Sequence, residues 1–379
     1  MREHAYFDNG ATTAVAKEVS DEMLPFFTRS YGNPSSIHSM GDTAAKAVMT
    51  ARKRTASALN CKPSEIIFTS GGTESNNLAL IGAVMRSGRK KVITSAVEHS
   101  AILETCRFLG SAGYEIIVIP ADGEGRVNVG DMIDVTDDDT AVVSVMAANN
   151  EIGTIQPIAE LAKIAHEHGA LFHTDAVQAF TRMNIDTVRD GIDMLSVSGH
   201  KIHGPKGVGA LYVRNGVNIS PIMFGGGQER GLRPSTENVP GIVGLGKAAE
   251  LAMATMKDDV KRMERMRDKI INEILNVEGA YLNGPAENRL CNNAHFGFDG
   301  IKGKDLVLSL SKMNIMASTA SACSAGSTEP SHVMTAIGRS ANEAFSSLRL
   351  SLSRYTTDQE INILLDAVPY AVRSLRTRT

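Results

Sequence analysis

The chain has 379 residues, 42% of them apolar and 21% charged, a balance that suits one large globular unit plus a smaller one, each with its own core. A formal net charge of only −3 at pH 7 argues against direct nucleic-acid binding or an anionic membrane as the main partner, because both leave a strongly basic footprint. The opening MREHAYFDNGATTAV has no apolar core like that of a secretion signal, and no stretch offers the roughly 18 consecutive apolar residues of a membrane span, so a cytoplasmic protein is expected.

From about residue 50 to 215, short β-rich runs alternate with helical stretches. The predicted strands are Ile66–Thr69, Val92–Ser95, Ile116–Ile119, Val142–Met146, Leu171–Thr174, Met194–Ser196 and Ala210–Val213. Several are near-continuous apolar runs, the pattern of strands covered by helices on both faces. The rhythm implies an α/β fold with a mostly parallel sheet, whose ligands sit beyond the carboxyl ends of its strands.

Those ends carry chemistry. Gly71-Gly72-Thr73-Glu74 follows the first strand and opens a helix, so free backbone N–H groups and the Thr73 hydroxyl make a phosphate cradle. His99 closes the segment after the second, where an imidazole can stack on a flat ring. Asp175 ends the run Leu171-Phe172-His173-Thr174-Asp175, with Gln178 three residues on; a carboxylate there can pair with a protonated pyridine nitrogen. Ser198-Gly199-His200-Lys201 follows the sixth strand, and an amine in that setting suits a Schiff base. Alone, each signal has a bland reading: a helix cap, a simple turn, a structural histidine, a surface lysine. Four at the ends of four strands of one sheet are far stronger together.

Beyond residue 240 the pattern changes. Pro240–Leu275 reads as one long helix, with Val260, Met263, Met266, Ile270 and Ile274 on a stripe, and such a helix commonly bridges two domains. Ala294–Phe298, Asn314–Ala317 and Leu348–Leu352 then alternate with helices in a smaller α+β arrangement, and Thr357-Asp358-Gln359-Glu360 is a capping box opening the last helix. Cys61, Cys106, Cys291 and Cys323 are scattered without a C-x-x-C pair, which speaks against a disulfide framework or a structural zinc site. Cys323 stands apart from the other three. It lies in Ala317-Ser318-Thr319-Ala320-Ser321-Ala322-Cys323-Ser324-Ala325-Gly326-Ser327, small residues with little to pack, so a mobile loop with a reactive thiol is expected there. His166-Glu167-His168 reads as a solvated helix face, because positions i and i+2 point about 200° apart and the two rings cannot share a metal ion without other ligands.

The ordered stretches YFDNGATT, YGNPSS, FTSGGTESNN, EHSAI, NNEIGTIQPI, HTDAVQ, SGHKIHGPKG, GGGQERGLRPSTENV, SACS and SSLRLSLSR closely resemble the cysteine desulfurases of the NifS/IscS type. These belong to the class V, fold-type I pyridoxal-phosphate enzymes, and the resemblance covers nearly the whole chain. It implies a large cofactor domain over 15–250, built on a seven-stranded sheet. A smaller domain of 1–14 and 251–379 would carry the catalytic-cysteine loop at about 318–330. Lys201 is implied as the Schiff-base lysine and Cα proton shuttle, Asp175 as the partner of the pyridine nitrogen, Gln178 as donor to the phenolic oxygen and His99 as the stacking imidazole. Gly72, Thr73, Ser198 and His200 would hold the phosphate, with Thr236 reaching the phosphate of the other subunit of a homodimer. Asn150 and Arg349 would position the substrate, Arg349 taking its carboxylate with a planar guanidinium fork.

The implied reaction removes sulfur from L-cysteine as a persulfide on Cys323 and releases alanine. The sulfur would pass to iron–sulfur cluster assembly or thiolated nucleotides through an acceptor such as an IscU-like scaffold, beside which Cys323 could also ligate a cluster. A selenocysteine lyase or another class V enzyme is an alternative; a non-catalytic sulfur carrier or scaffold fits less well with both Lys201 and Cys323 present. Ala320 and Ser235 stand where many relatives have glycine. The chain also stops at Thr379 without the C-terminal extension that IscS-like members use for docking, which puts the scaffold in question.

Overall fold

The computed structural model describes residues 4–320 and 329–377. A two-residue strand, β1 (Ala5–Tyr6), precedes the strands of the main sheet: β2 (Ile66–Thr69), β3 (Lys91–Ser95), β4 (Glu115–Ile119), β5 (Thr140–Ser144), β6 (Leu171–Asp175), β7 (Met194–Ser198) and β8 (Gly209–Val213). Their spatial order is β2-β8-β7-β6-β5-β3-β4. All neighbours are parallel except that β8 runs antiparallel to both β2 and β7.

The apolar runs explain the layering. Successive side chains of a strand point to opposite faces, and here both faces are covered. Phe68, Ile93, Val143, Leu195 and Tyr212 enter one core, while their neighbours Ile67, Val92, Val142, Met194 and Leu211 enter a second core on the other face. Only the edge strand β4 leaves several residues partly or fully exposed.

A third core forms around Phe7, Phe296, Phe298, Leu306, Leu348 and Val368. Its sheet is β12-β10-β9, from β9 (Ala280–Leu282), β10 (Asn293–Phe298) and β12 (Ser347–Ser351), all antiparallel, while β11 (Ile315–Met316) pairs in parallel with β1. The 36-residue helix Val239–Ile274 begins at Asn238, whose side chain accepts the Gly241 amide. Its first half buries Ile242, Val243 and Leu245 in the main core, and its second half buries Met263, Met266 and Ile270 in the third. One amphipathic helix thus serves both bodies. A small fourth cluster joins Val97 and Ile152 to Val333, Met334 and Ile337.

Candidate active site

The carboxyl ends of β2, β3, β5, β6 and β7 open into one cleft of about 190 Å³. It is lined by Gly72, Thr73, His99, Asn150, Asp175, Gln178, Ser198, His200, Lys201 and Arg349, all read from the sequence, and by Gly10, Ala11, Asn76, Met146, Ala148 and Val177, which were not. Asn76 could have been found, since it lies one helical turn beyond Thr73. Thr236 is exposed and lies outside this lining. Cys323 lies outside the described residues.

Asp175, buried at the end of β6, accepts from Asn76 Nδ2 at 2.7 Å and from the Val177 amide at 2.9 Å. One bond goes to each carboxylate oxygen, which fixes its direction. Lys201 Nζ donates to the carbonyls of Gly10 and Ala11, at 2.6 and 2.7 Å. Its main chain is held by Arg182, whose guanidinium donates to the Lys201 carbonyl at 2.5 Å and to that of Gln178 at 2.8 Å. Burial brings the Arg182 pKa down to about 10, which leaves it a cation at neutral pH. Gln178 Nε2 donates to Gly10 O at 2.8 Å, using one of its two amide hydrogens.

His99 caps the helix Ser100–Ser111: its Nδ1 accepts the Ala101 amide at 3.1 Å, which leaves Nε2 to carry the proton of the neutral ring. Burial, and then the charges of Lys201, Lys206 and Arg182, hold His200 down at about 4, so it is neutral at pH 7. The helix Gly72–Ser87 presents its N-terminus to the cleft. A Cβ on Gly72 would come within 2.7 Å of Val177 Cγ2, so any larger residue there would force the Val177 side chain to shift. Arg349, only 1% exposed, donates to the Asn150 carbonyl and to Asp8 Oδ1, both at 3.1 Å. Its Nε has no partner among the described residues, so a buried N–H remains for an acceptor that those residues do not supply.

These groups fit pyridoxal phosphate. A fixed carboxylate suits the ring nitrogen, a helix N-terminus with the Thr73 and Ser198 hydroxyls suits the phosphate, an imidazole suits the ring face, and the Lys201 amine suits the aldehyde. Burial pushes the thiols of Cys61, Cys106 and Cys291 up to about 12, and none of them lines the cleft. Among the described residues, no group of His, Cys, Asp or Glu is arranged to hold a metal ion. Nor, among those residues, is any helix long and apolar enough to cross a membrane.

The family model for class-V aminotransferases matches residues 5–364. A cysteine desulfurase IscS of Methanosarcina thermophila is 48% identical over 373 residues, covering 98% of this chain and 92% of that protein. A solved NifS-like protein superposes with a TM-score of 0.93 at 39% identity, covering 98% of this chain and 100% of the other. A structure described as SspA in complex with cysteine gives 0.82 at 39% identity, covering 93% and 100%. With pyridoxal phosphate as its cofactor, the chain belongs to the class-V aminotransferase family, among the cysteine desulfurases.

Proposed function

We propose that this enzyme takes sulfur from L-cysteine, holds it as a persulfide on Cys323 and releases L-alanine. The observation that carries the reading is that Lys201, Asp175, His99, Thr73 and Arg349 lie in or just beyond five strands of two sheets yet line one small cleft. Bound pyridoxal phosphate supplies an electron sink for the substrate Cα. Lys201 carries the cofactor and moves the proton at Cα, Asp175 keeps the ring nitrogen protonated, and His99 covers the ring. Arg349, with Asn150, takes the substrate carboxylate. The Cys323 thiolate then attacks the substrate sulfur: the new S–S bond forms and the Cβ–S bond breaks. The carbon keeps the electron pair and takes up one proton, balancing the one the Cys323 thiol gave up, to become the methyl group of alanine.

We read the chain as a cofactor unit over 15–250 and a smaller unit of 1–14 and 251–379. The main and third cores support this reading, although Leu290 packs in the main core and a fourth cluster spans the two units. We read the protein as a cytoplasmic homodimer in which exposed Thr236 reaches the phosphate site of the partner. An IscU-like scaffold or a thiolation enzyme is the fitting acceptor. Purified protein should be yellow, with a visible band that shifts on addition of L-cysteine, and Lys201→Ala should abolish that band. A protein that stays colourless after addition of pyridoxal phosphate would sink the reading.

A further inference from the structure

Two hydrogen bonds leave consecutive residues shortly after the stretch that carries Cys323. Ser331 Oγ donates to Glu151 Oε2 at 2.6 Å. His332 Nε2 lies 2.8 Å from the main-chain oxygen of Glu98. A carbonyl oxygen only accepts, so the ring nitrogen is the donor. Both acceptor residues are buried, Glu98 at 0% and Glu151 at 1% exposure. Each adjoins a residue of the cleft: Glu98 precedes His99, and Glu151 follows Asn150. Glu98 is itself immobilised, because its Oε1 accepts from Ser95 Oγ at 2.5 Å and from the Met146 amide at 2.9 Å.

The other side of the stretch is held elsewhere. Ser318 and Arg349 exchange both main-chain bonds, at 3.3 and 2.7 Å, so that end is tied to β12 and the third core. The two ends of the segment bearing Cys323 are therefore fixed to different bodies, one to β12 and one to the chain beyond the ends of β3 and β5. Where the chain on either side of a reactive residue is held decides how often that residue meets a given point.

We propose that Ser331 and His332 form an anchor that sets where Cys323 meets the substrate, which makes them positioning residues for sulfur transfer and not for cofactor binding. The proposal rests on the reading of Cys323 as the sulfur acceptor. Each bond governs an equilibrium by about 2- to 10-fold, so losing both should slow transfer by roughly tenfold or more.

The test is rapid mixing of holoenzyme with L-cysteine, following persulfide formation on the Cys323 peptide in wild type, Ser331→Ala, His332→Ala and the double variant. The limiting rate of the double variant should fall about tenfold, while its cofactor band and half-saturating L-cysteine concentration stay those of wild type. Ser331→Thr and His332→Gln, which keep a donor at each place, should recover most of the rate. Ser331 also accepts the Val333 and Met334 amides, so His332→Ala serves as the variant that leaves this cap intact. A wild-type rate in the double variant would overturn the anchor alone, as would a parallel loss of cofactor and cysteine affinity. Extra sulfur on another cysteine in wild type would overturn both the anchor and the reading on which it rests.

Discussion

Ser235 carries its backbone at φ 94°, in the region that favours glycine. The resemblance implies glycine at this position, and the φ angle supplies a physical reason for it. A non-glycine residue held there is strained by about 1–3 kcal/mol, part of which glycine gives back as entropy of the unfolded chain. Ser235→Gly should therefore raise stability by roughly 1 kcal/mol, seen as a higher midpoint in urea with an unchanged slope. An unchanged or lower midpoint would show that the serine makes a compensating contact. Residues of the cleft were legible where several weak signals fall together at strand ends within a family resemblance, as with Lys201 and Asp175. Arg182 was not: it acts through main-chain carbonyls of Lys201 and Gln178, and nothing in a linear sequence marks an arginine as folded back on its own loop.

Strands buried on both faces announce themselves as apolar runs, and all seven of the main sheet appear within two residues of their predicted ends. The reversed direction of β8 was not legible, because a buried run reads the same in either sense. β1 and β9 escaped for a different reason: two and three residues are too short to show a period. Asn314–Ala317 contracted to Ile315–Met316. The last helix was marked by its capping box, with Thr357 Oγ1 accepting the Glu360 amide and Glu360 accepting that of Thr357. The direction of β8 matters to the cleft, since it brings Gly209 against the phosphate turn. A Cβ on Gly209 would lie 2.6 Å from Val197 O and 2.7 Å from Gly71 Cα, both main chain. Gly209→Ala should thus push β8 off the turn, lower the thermal midpoint and weaken cofactor binding together. A variant that keeps both would show that the sheet yields there at little cost.

Over the whole molecule, buried titratable groups set a pH window for stability. Burial holds His173 and His295 down at about 3, and burial with neighbouring cations holds His200 at about 4. The unfolded chain takes up these protons near pH 6.5, so their contribution is present above that pH and is lost as pH falls toward 3. Glu98 behaves in the opposite sense, because burial raises its carboxyl to about 8. The unfolded chain releases that proton near pH 4.5, so stability declines as pH rises from there to 8. Thermal midpoints across pH should fall on both sides of a maximum, and Glu98→Gln should flatten the alkaline side. An alkaline side that is as steep in Glu98→Gln as in wild type would place its origin elsewhere.

The central claim is that the sulfur of L-cysteine moves to one thiol, that of Cys323, and it is tested most directly by mass spectrometry. Holoenzyme treated with L-cysteine, alkylated and digested, should carry one additional sulfur on the peptide containing Cys323, with alanine formed in equal amount. Cys323→Ser should lose the added sulfur and turnover while keeping its cofactor band. Added sulfur on Cys61, Cys106 or Cys291, whose thiols burial pushes up to about 12, or alanine formed at the wild-type rate by Cys323→Ser, would contradict the account.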